Sequence, residues 1–112
     1  PAVLCVAFSH DGGRIGAGSA DGTARIFSLA RRAGVVTLEG HEGAVTSIAF
    51  SPDGHAAATG SGDRSARLWD ARSGVCAVTI DLQLFQVTSV AFSPDGNYVA
   101  IGTKDTTVKV TS

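Results

Sequence analysis

Short apolar runs alternate with clusters of Gly, Asp, Ser and Pro along the whole chain. The middle of the sequence shows the pattern most completely. Val45-Thr46-Ser47-Ile48-Ala49-Phe50 puts apolar side chains on both faces of an extended segment, as a strand packed on both sides requires. Ser51-Pro52-Asp53-Gly54 then reads as a turn: Pro presets φ at its second position, Asp bonds the backbone ahead, and Gly accepts positive φ. Further strands are predicted over 56–60, 65–69 and 76–80, with a tight turn at Asp63-Arg64 between the first two. No segment carries apolar residues at helical spacing over a length that would compete.

The arrangement recurs without a gap. Phe8, Phe50 and Phe92 lie 42 residues apart, and so do Asp11, Asp53 and Asp95, then Gly12, Gly54 and Gly96, then Asp21, Asp63 and Asp105. Residues 45–68 match residues 87–110 at 12 of 24 positions, an in-register likeness that chance does not produce. The flanking units predict first strands over 2–8 and 87–92, second strands over 15–18 and 98–102, third strands over 23–27 and 107–110, and a fourth over 35–38. Four antiparallel strands per unit make one propeller blade, and a blade has two faces that only stacked neighbours can bury. The expected fold is all-β: propeller blades of four antiparallel strands forming a partial propeller. The units span residues 1–42, 43–84 and 85–112, the last without its outermost strand.

Gly40-His41, Phe50-Ser51-Pro52-Asp53-Gly54, Gly60-Ser61-Gly62-Asp63 and Trp69-Asp70 together closely resemble one full WD repeat, and the resemblance extends over essentially the whole chain. It implies a hydrogen-bonded tetrad of His41, Asp63, Trp69 and a second-strand hydroxyl, with Thr59 preferred over Ser61. Elementary chemistry supports the set, because a buried imidazole and a buried indole N–H both need partners and an ionised Asp accepts while pinning its turn. The other units depart from the pattern. Phe27-Ser28 and Thr111-Ser112 stand at the Trp-Asp position, and Leu82-Gln83 replaces Gly-His. Asp21 and Asp105 remain, so their turns are expected to persist while only the second unit holds the complete tetrad.

Charge and composition narrow the function classes. Nine basic and ten acidic residues leave a net charge of −1, with Arg31-Arg32 as the one basic cluster, which gives no footprint for nucleic acid or an anionic membrane. Fourteen glycines suit tight turns, and eight of the ten acids are Asp, most of them beside Gly or in turn contexts. Cys5 and Cys76 lie far apart without CxxC spacing, and no signal-peptide pattern or long apolar run is present, so an intracellular setting, cytoplasmic or nuclear, with two free thiols is expected. His10 and His55 occupy turn positions filled by Pro52, Pro94, Gly13 and Asn97 in other units, which points to surface residues. No HExxH, GxSxG or GxxxxGK[ST] motif occurs, and the glycines of 13–18 and 60–62 open no helix, so no catalytic residue, metal or cofactor is expected. Asp21, Asp63 and Asp105 fall in separate blades and read as turn residues, not as a metal site.

What remains is binding. The resemblance implies that proteins or peptides engage loops at the narrower end of the ring, those before each first strand and those joining the second strand to the third. Here these loops offer Glu42, Ala44, Leu84, Phe85, Gln86 and Lys104, with Gly43, Ala20 and Gly62 beside them. Leu84 and Phe85 stand where the second unit has Glu42 and Gly43, and an aromatic at a loop tip either anchors a partner or tucks against the neighbouring blade. The expected function is a non-catalytic protein–protein interaction scaffold. The alternative is a structural unit that completes a ring, within a longer chain or by self-association, because three blades fall short of the roughly four to eight in propeller rings.

Overall fold

A computed structural model of the chain describes residues 2–29, 35–82, 85–104 and 108–111, the last four by their backbone. Arg31, Arg32, Leu84 and Asp105 lie outside the described residues. Eleven strands are present among the described residues. They are β1 (Val3–Phe8), β2 (Arg14–Ser19), β3 (Ala24–Ser28), β4 (Val35–Leu38), β5 (Val45–Phe50), β6 (Ala56–Ser61), β7 (Ser65–Asp70), β8 (Cys76–Asp81), β9 (Val87–Phe92), β10 (Val99–Thr103) and β11 (Val108–Thr111). Each neighbouring pair is antiparallel, and they form sheets in the orders β1-β2-β3-β4, β5-β6-β7-β8 and β9-β10-β11. The protein is all-β, built of propeller blades as the repeat pattern predicts.

The turn after each first strand is made by the same three polar atoms three times over. Ser9, Ser51 and Ser93 each donate their hydroxyl to the Asp two residues on, at 2.6 Å. The same Asp oxygen accepts the N–H of Gly13, His55 or Asn97, at 2.8, 2.9 and 3.0 Å. The serine hydroxyl, and then that N–H, hold Asp11, Asp53 and Asp95 below the ordinary carboxylate range. Gly12, Gly54 and Gly96 take φ of 72°, 75° and 76°, the left-handed conformation that a residue with a Cβ resists.

The sheets stack through their innermost strands, with β5 against β1 and β2, and β9 against β5 and β6. Two apolar layers result. Val45, Ile48, Phe50, Ala57 and Trp69 face the first sheet's Ala24, Ile26 and Leu38. On the opposite face of the middle sheet, Ala58, Ala66 and Leu68 meet Val87, Val99 and Ile101. Period-two alternation within β6 explains how Ala57 and Ala58 serve different layers. Every first strand shifts register at its second residue, between Val3 and Cys5, Val45 and Ser47, and Val87 and Ser89. The bulge frees Thr46 to reach the next sheet, where its hydroxyl donates to Val87 O at 2.6 Å.

Cys5 and Cys76 sit in β1 and β8, on different sheets, and both are free thiols, half-buried against the first apolar layer. Burial pushes the Cys5 thiol up, against a weaker opposing effect from the Gly18 backbone.

Candidate functional site

The middle sheet carries a chain of side-chain hydrogen bonds that runs from its core to its end. Trp69 pairs with Ala57 across β7 and β6, which aims its indole along the same face at Thr59, two residues on. Trp69 Nε1 donates to Thr59 Oγ1 at 2.8 Å, and Thr59 Oγ1 lies 2.7 Å from His41 Nε2. His41 Nδ1 in turn lies 3.0 Å from Asp63 Oδ2. An indole nitrogen only donates, and an ionised carboxylate only accepts. The proton order follows: Thr59 donates to Nε2, and His41 carries its proton on Nδ1 for Asp63. The imidazole also meets the Trp69 ring edge-on, with centroids 6.2 Å apart.

Asp63 is the collecting point. It accepts from Ser65 Oγ at 2.6 Å, Ser65 N at 2.9 Å and Glu42 N at 2.9 Å in addition to His41. Partial burial alone would raise its carboxyl, but the Ser65 hydroxyl, the Glu42 N–H and the His41 N–H outweigh it and bring it down to about 2. Burial pushes His41 below the ordinary imidazole value, and this exceeds the opposing pull of Asp63. The imidazole is therefore neutral at physiological pH, as the proton order requires.

His41, Thr59, Asp63 and Trp69 are thus brought together, while Ser61 does a separate job. Its hydroxyl donates to Gly43 O at 3.1 Å and accepts Asp63 N at 3.0 Å, tying the loop before β5 to the turn after β6. Sequence reasoning passed over Ser65, although a hydroxyl two residues after the turn Asp recurs as Thr23, Ser65 and Thr107 and signals a side-chain turn. It also passed over Arg67, whose guanidinium carbon lies 5.9 Å from the centre of the Trp69 ring and whose Nη1 lies 3.9 Å from Cys76 Sγ.

The network holds one end of the sheets in place, and the backbone repeats the attachment. Ala20 N donates to Ala2 O, Gly62 N to Ala44 O and Lys104 N to Gln86 O, at 2.9, 2.9 and 3.0 Å. Each bond clips a turn between second and third strands to the loop before a first strand. Neighbouring sheets continue the row. A Cβ on Gly22 would stand 2.8 Å from His41 O and 3.2 Å from Gly43 O, so the first sheet's turn abuts the second sheet's loop. Leu82 N donates to Arg64 O at 2.9 Å and begins the next loop at the second sheet's turn. Glu42, Phe85, Gln86 and Lys104 are exposed along this row, and Ala44 is half-buried. Phe85 is 38% exposed. Leu84, proposed beside it, is outside the described residues. Beside Glu42 an open hollow of about 200 Å³ is lined by Asp63, Ser65, Arg67, Thr79 and Asp81.

His10 and His55 are both exposed. Among the described residues no three His, Cys, Asp or Glu side chains converge as metal ligands, and no helix is long and apolar enough to cross a membrane.

Antiparallel sheets that stack through their innermost strands, with a Trp–Thr–His–Asp chain in the middle one tying a loop to its end, define a blade-repeat protein. The family model for the WD domain, G-beta repeat (WD40), matches the chain three times, at residues 1–28, 34–70 and 74–112. The chain belongs to that family, whose repeats generally mediate protein–protein interactions and are generally non-catalytic. No curated protein compared with the chain matches it.

Proposed function

We propose that this chain is a non-catalytic scaffold that presents the row of loops before β5 and β9, and the turns beside them, to other proteins or peptides. The observation that carries this reading is the clipped row itself: Glu42, Phe85, Gln86 and Lys104 stand exposed on backbone that is fixed by Asp63 and by the repeated turn-to-loop bonds. Preorganised backbone lowers the ordering cost of binding, and an exposed aromatic among polar neighbours supplies an anchor. Exposed Glu42, Arg64 and Lys104 give the row charges of both signs, which suits a peptide of mixed charge, and a net charge of −1 favours protein over nucleic acid as partner. Two free thiols favour a reducing, intracellular compartment, cytoplasmic or nuclear.

The test is to pan a random displayed-peptide library on the immobilised chain, then to measure the enriched peptides against Glu42→Ala, Phe85→Ala and Lys104→Ala. The expected result is a loss of about tenfold or more in affinity for Phe85→Ala, as for an anchor worth about 1.4 kcal/mol or more, with unchanged melting. Peptides that bind all three variants as well as they bind the parent would overturn the assignment of this row.

A further inference from the structure

The strands of each sheet run antiparallel, so the clipped row lies at one end and the turns after β1, β5 and β7 lie at the other. At that other end an open cleft of about 480 Å³ separates the first sheet from the second. Its size falls in the range of roughly 300–1,000 Å³ typical of ligand sites. One wall is apolar, with Ile26, Val35 and Val36 of the first sheet facing Ala71 of the second. Val35 is 46% exposed there, although its backbone is bonded into the sheet.

The rim of the cleft is charged. Asp11 comes to it from the first sheet and Asp53 from the second. A narrower notch of about 70 Å³ between the same two turns sets Ser9, His10 and Asp11 against Pro52, Asp53 and Gly54. Each carboxylate uses Oδ1 for its own turn, where it accepts a serine hydroxyl and an N–H. Among the described residues, Oδ2 of neither has a hydrogen-bond or ion-pair partner. The serine hydroxyl, and then that N–H, hold both groups below the ordinary carboxylate range, so both stay ionised at physiological pH.

The cations of the cleft are already engaged. Arg14 donates Nη2 to Gly54 O, its Nη1 lies 3.5 Å from Ala71 O, and its guanidinium carbon lies 5.4 Å from the centre of the Phe50 ring. It thereby ties the first sheet to two turns of the second and fixes the width of the cleft. Ala56 and Tyr98 hold its register in the other units, so this tie belongs to the first junction. Arg72 stands beside Asp70, whose carboxyl is held down by the Ser73 and Arg72 N–H groups and more weakly by the Arg72 charge. Asp11, Asp53 and Asp70 against Arg14 and Arg72 leave one negative charge in excess.

We propose that this cleft is a second docking site, which takes a peptide of a partner protein that lays an aliphatic side chain on Val36 and Ile26 and sets a neighbouring arginine or lysine between Asp11 and Asp53. The apolar wall matches the first side chain and the two unpaired carboxylates match the second, on a frame that Arg14 has already fixed. The assignment is independent of the row, whose loops lie at the far end. A scaffold with a site at each end holds two partners at once.

Amide chemical-shift titration of the isotope-labelled chain tests this, with three blocked peptides in which leucine adjoins arginine, glutamate or glutamine. The arginine peptide should move the Gly13 and His55 amides, which bond the two aspartates, and bind about tenfold more tightly than the glutamate peptide. Asp11→Asn combined with Asp53→Asn keeps an acceptor oxygen for each turn and removes the charge, so the preference should fall to about twofold or less. Arg72→Glu changes an exposed side chain and adds a carboxylate, and it should tighten arginine binding by about threefold. A glutamate peptide that binds as tightly, shifts confined to Glu42, Gln86 and Lys104 in the row, or no shift at millimolar peptide would each overturn the proposal. So would a preference for arginine that neither variant alters.

Discussion

The first and second sheets share a backbone and differ in what fills it. Both have four strands in the same order, the same Ser–Asp–Gly turn, and a turn Asp that caps its own loop. Yet Phe27 and Ala17 in the first sheet hold the registers of Trp69 and Thr59. Phe27 is 39% exposed where Trp69 is 1% exposed. Asp21 accepts the N–H and hydroxyl of Thr23, and Asp63 accepts the same pair from Ser65 but adds bonds from the preceding loop and a buried imidazole. The contrast teaches that local turn chemistry suffices to fold a blade. The polar chain adds attachment of one particular loop, His41 to Gly43, to the core.

The largest break in that comparison comes at Thr59, which serves two partners. Thr59→Val leaves the Trp69 indole and His41 Nε2 without partners at a fully buried position, and each orphan costs about 1–3 kcal/mol. Phe27→Leu, at the register of Trp69 but half in solvent, should cost under about 1.5 kcal/mol. Urea melts of the two variants decide it, and equal losses would mean the chain of bonds contributes nothing to stability.

Acid should separate the two turn aspartates next. Asp63 ionises at about 2 in the folded chain, against an ordinary value near 3.9 when unfolded. As pH falls from about 4 to 2 the unfolded chain binds that proton first, so stability falls with pH in this window. His41 contributes the same sign higher up. Burial lowers its folded value, so below about 6.5 the unfolded chain takes the proton before the folded one does. The urea midpoint should therefore drop in two steps between about pH 7 and pH 2, and Asp63→Asn should shrink the lower one. A midpoint that stays level across that range would contradict both directions.

A gain is expected at the paired turns. Arg64 sits at φ 70°, whereas Gly22 holds the equivalent place in the first sheet at φ 90°. A left-handed residue with a Cβ costs roughly 1–2 kcal/mol, part of which glycine returns as chain entropy when unfolded. Arg64→Gly should raise stability by up to about 1 kcal/mol, read as a higher melting temperature, and Gly22→Arg should lower it. The smallest effects belong to the exposed row, where Glu42→Ala and Lys104→Ala should change stability by no more than about 0.5 kcal/mol. A larger loss from either would give that side chain a structural duty.

Much of this was legible in the residues. The strands and the turns follow from apolar runs set between Ser-x-Asp-Gly clusters, because turn chemistry is local and repeats in phase. Strand edges shifted by a residue or so, as where β10 begins at Val99 and not at Tyr98, whose N–H bonds Ser93 Oγ. The choice between Thr59 and Ser61 needed the register of β6 on β7, which sets Trp69 opposite Ala57. Both hydroxyls lie on one face, so alternation alone does not separate them. Arg67 was invisible for a related reason: a charged residue mid-strand reads as solvent-facing, yet here its guanidinium lies over the Trp69 ring and its Nε is buried without a hydrogen-bond partner among the described residues.

The bonds from Ala20 to Ala2, Gly62 to Ala44 and Lys104 to Gln86 use only main-chain atoms. The side chains at those six positions are thus released from any role in holding the loops. Alanine, glycine, lysine and glutamine already occupy them over one and the same frame. Such a surface is a socket board: its vocabulary of contacts can be rewritten position by position, through mutation or design, while the architecture beneath stays indifferent to the words.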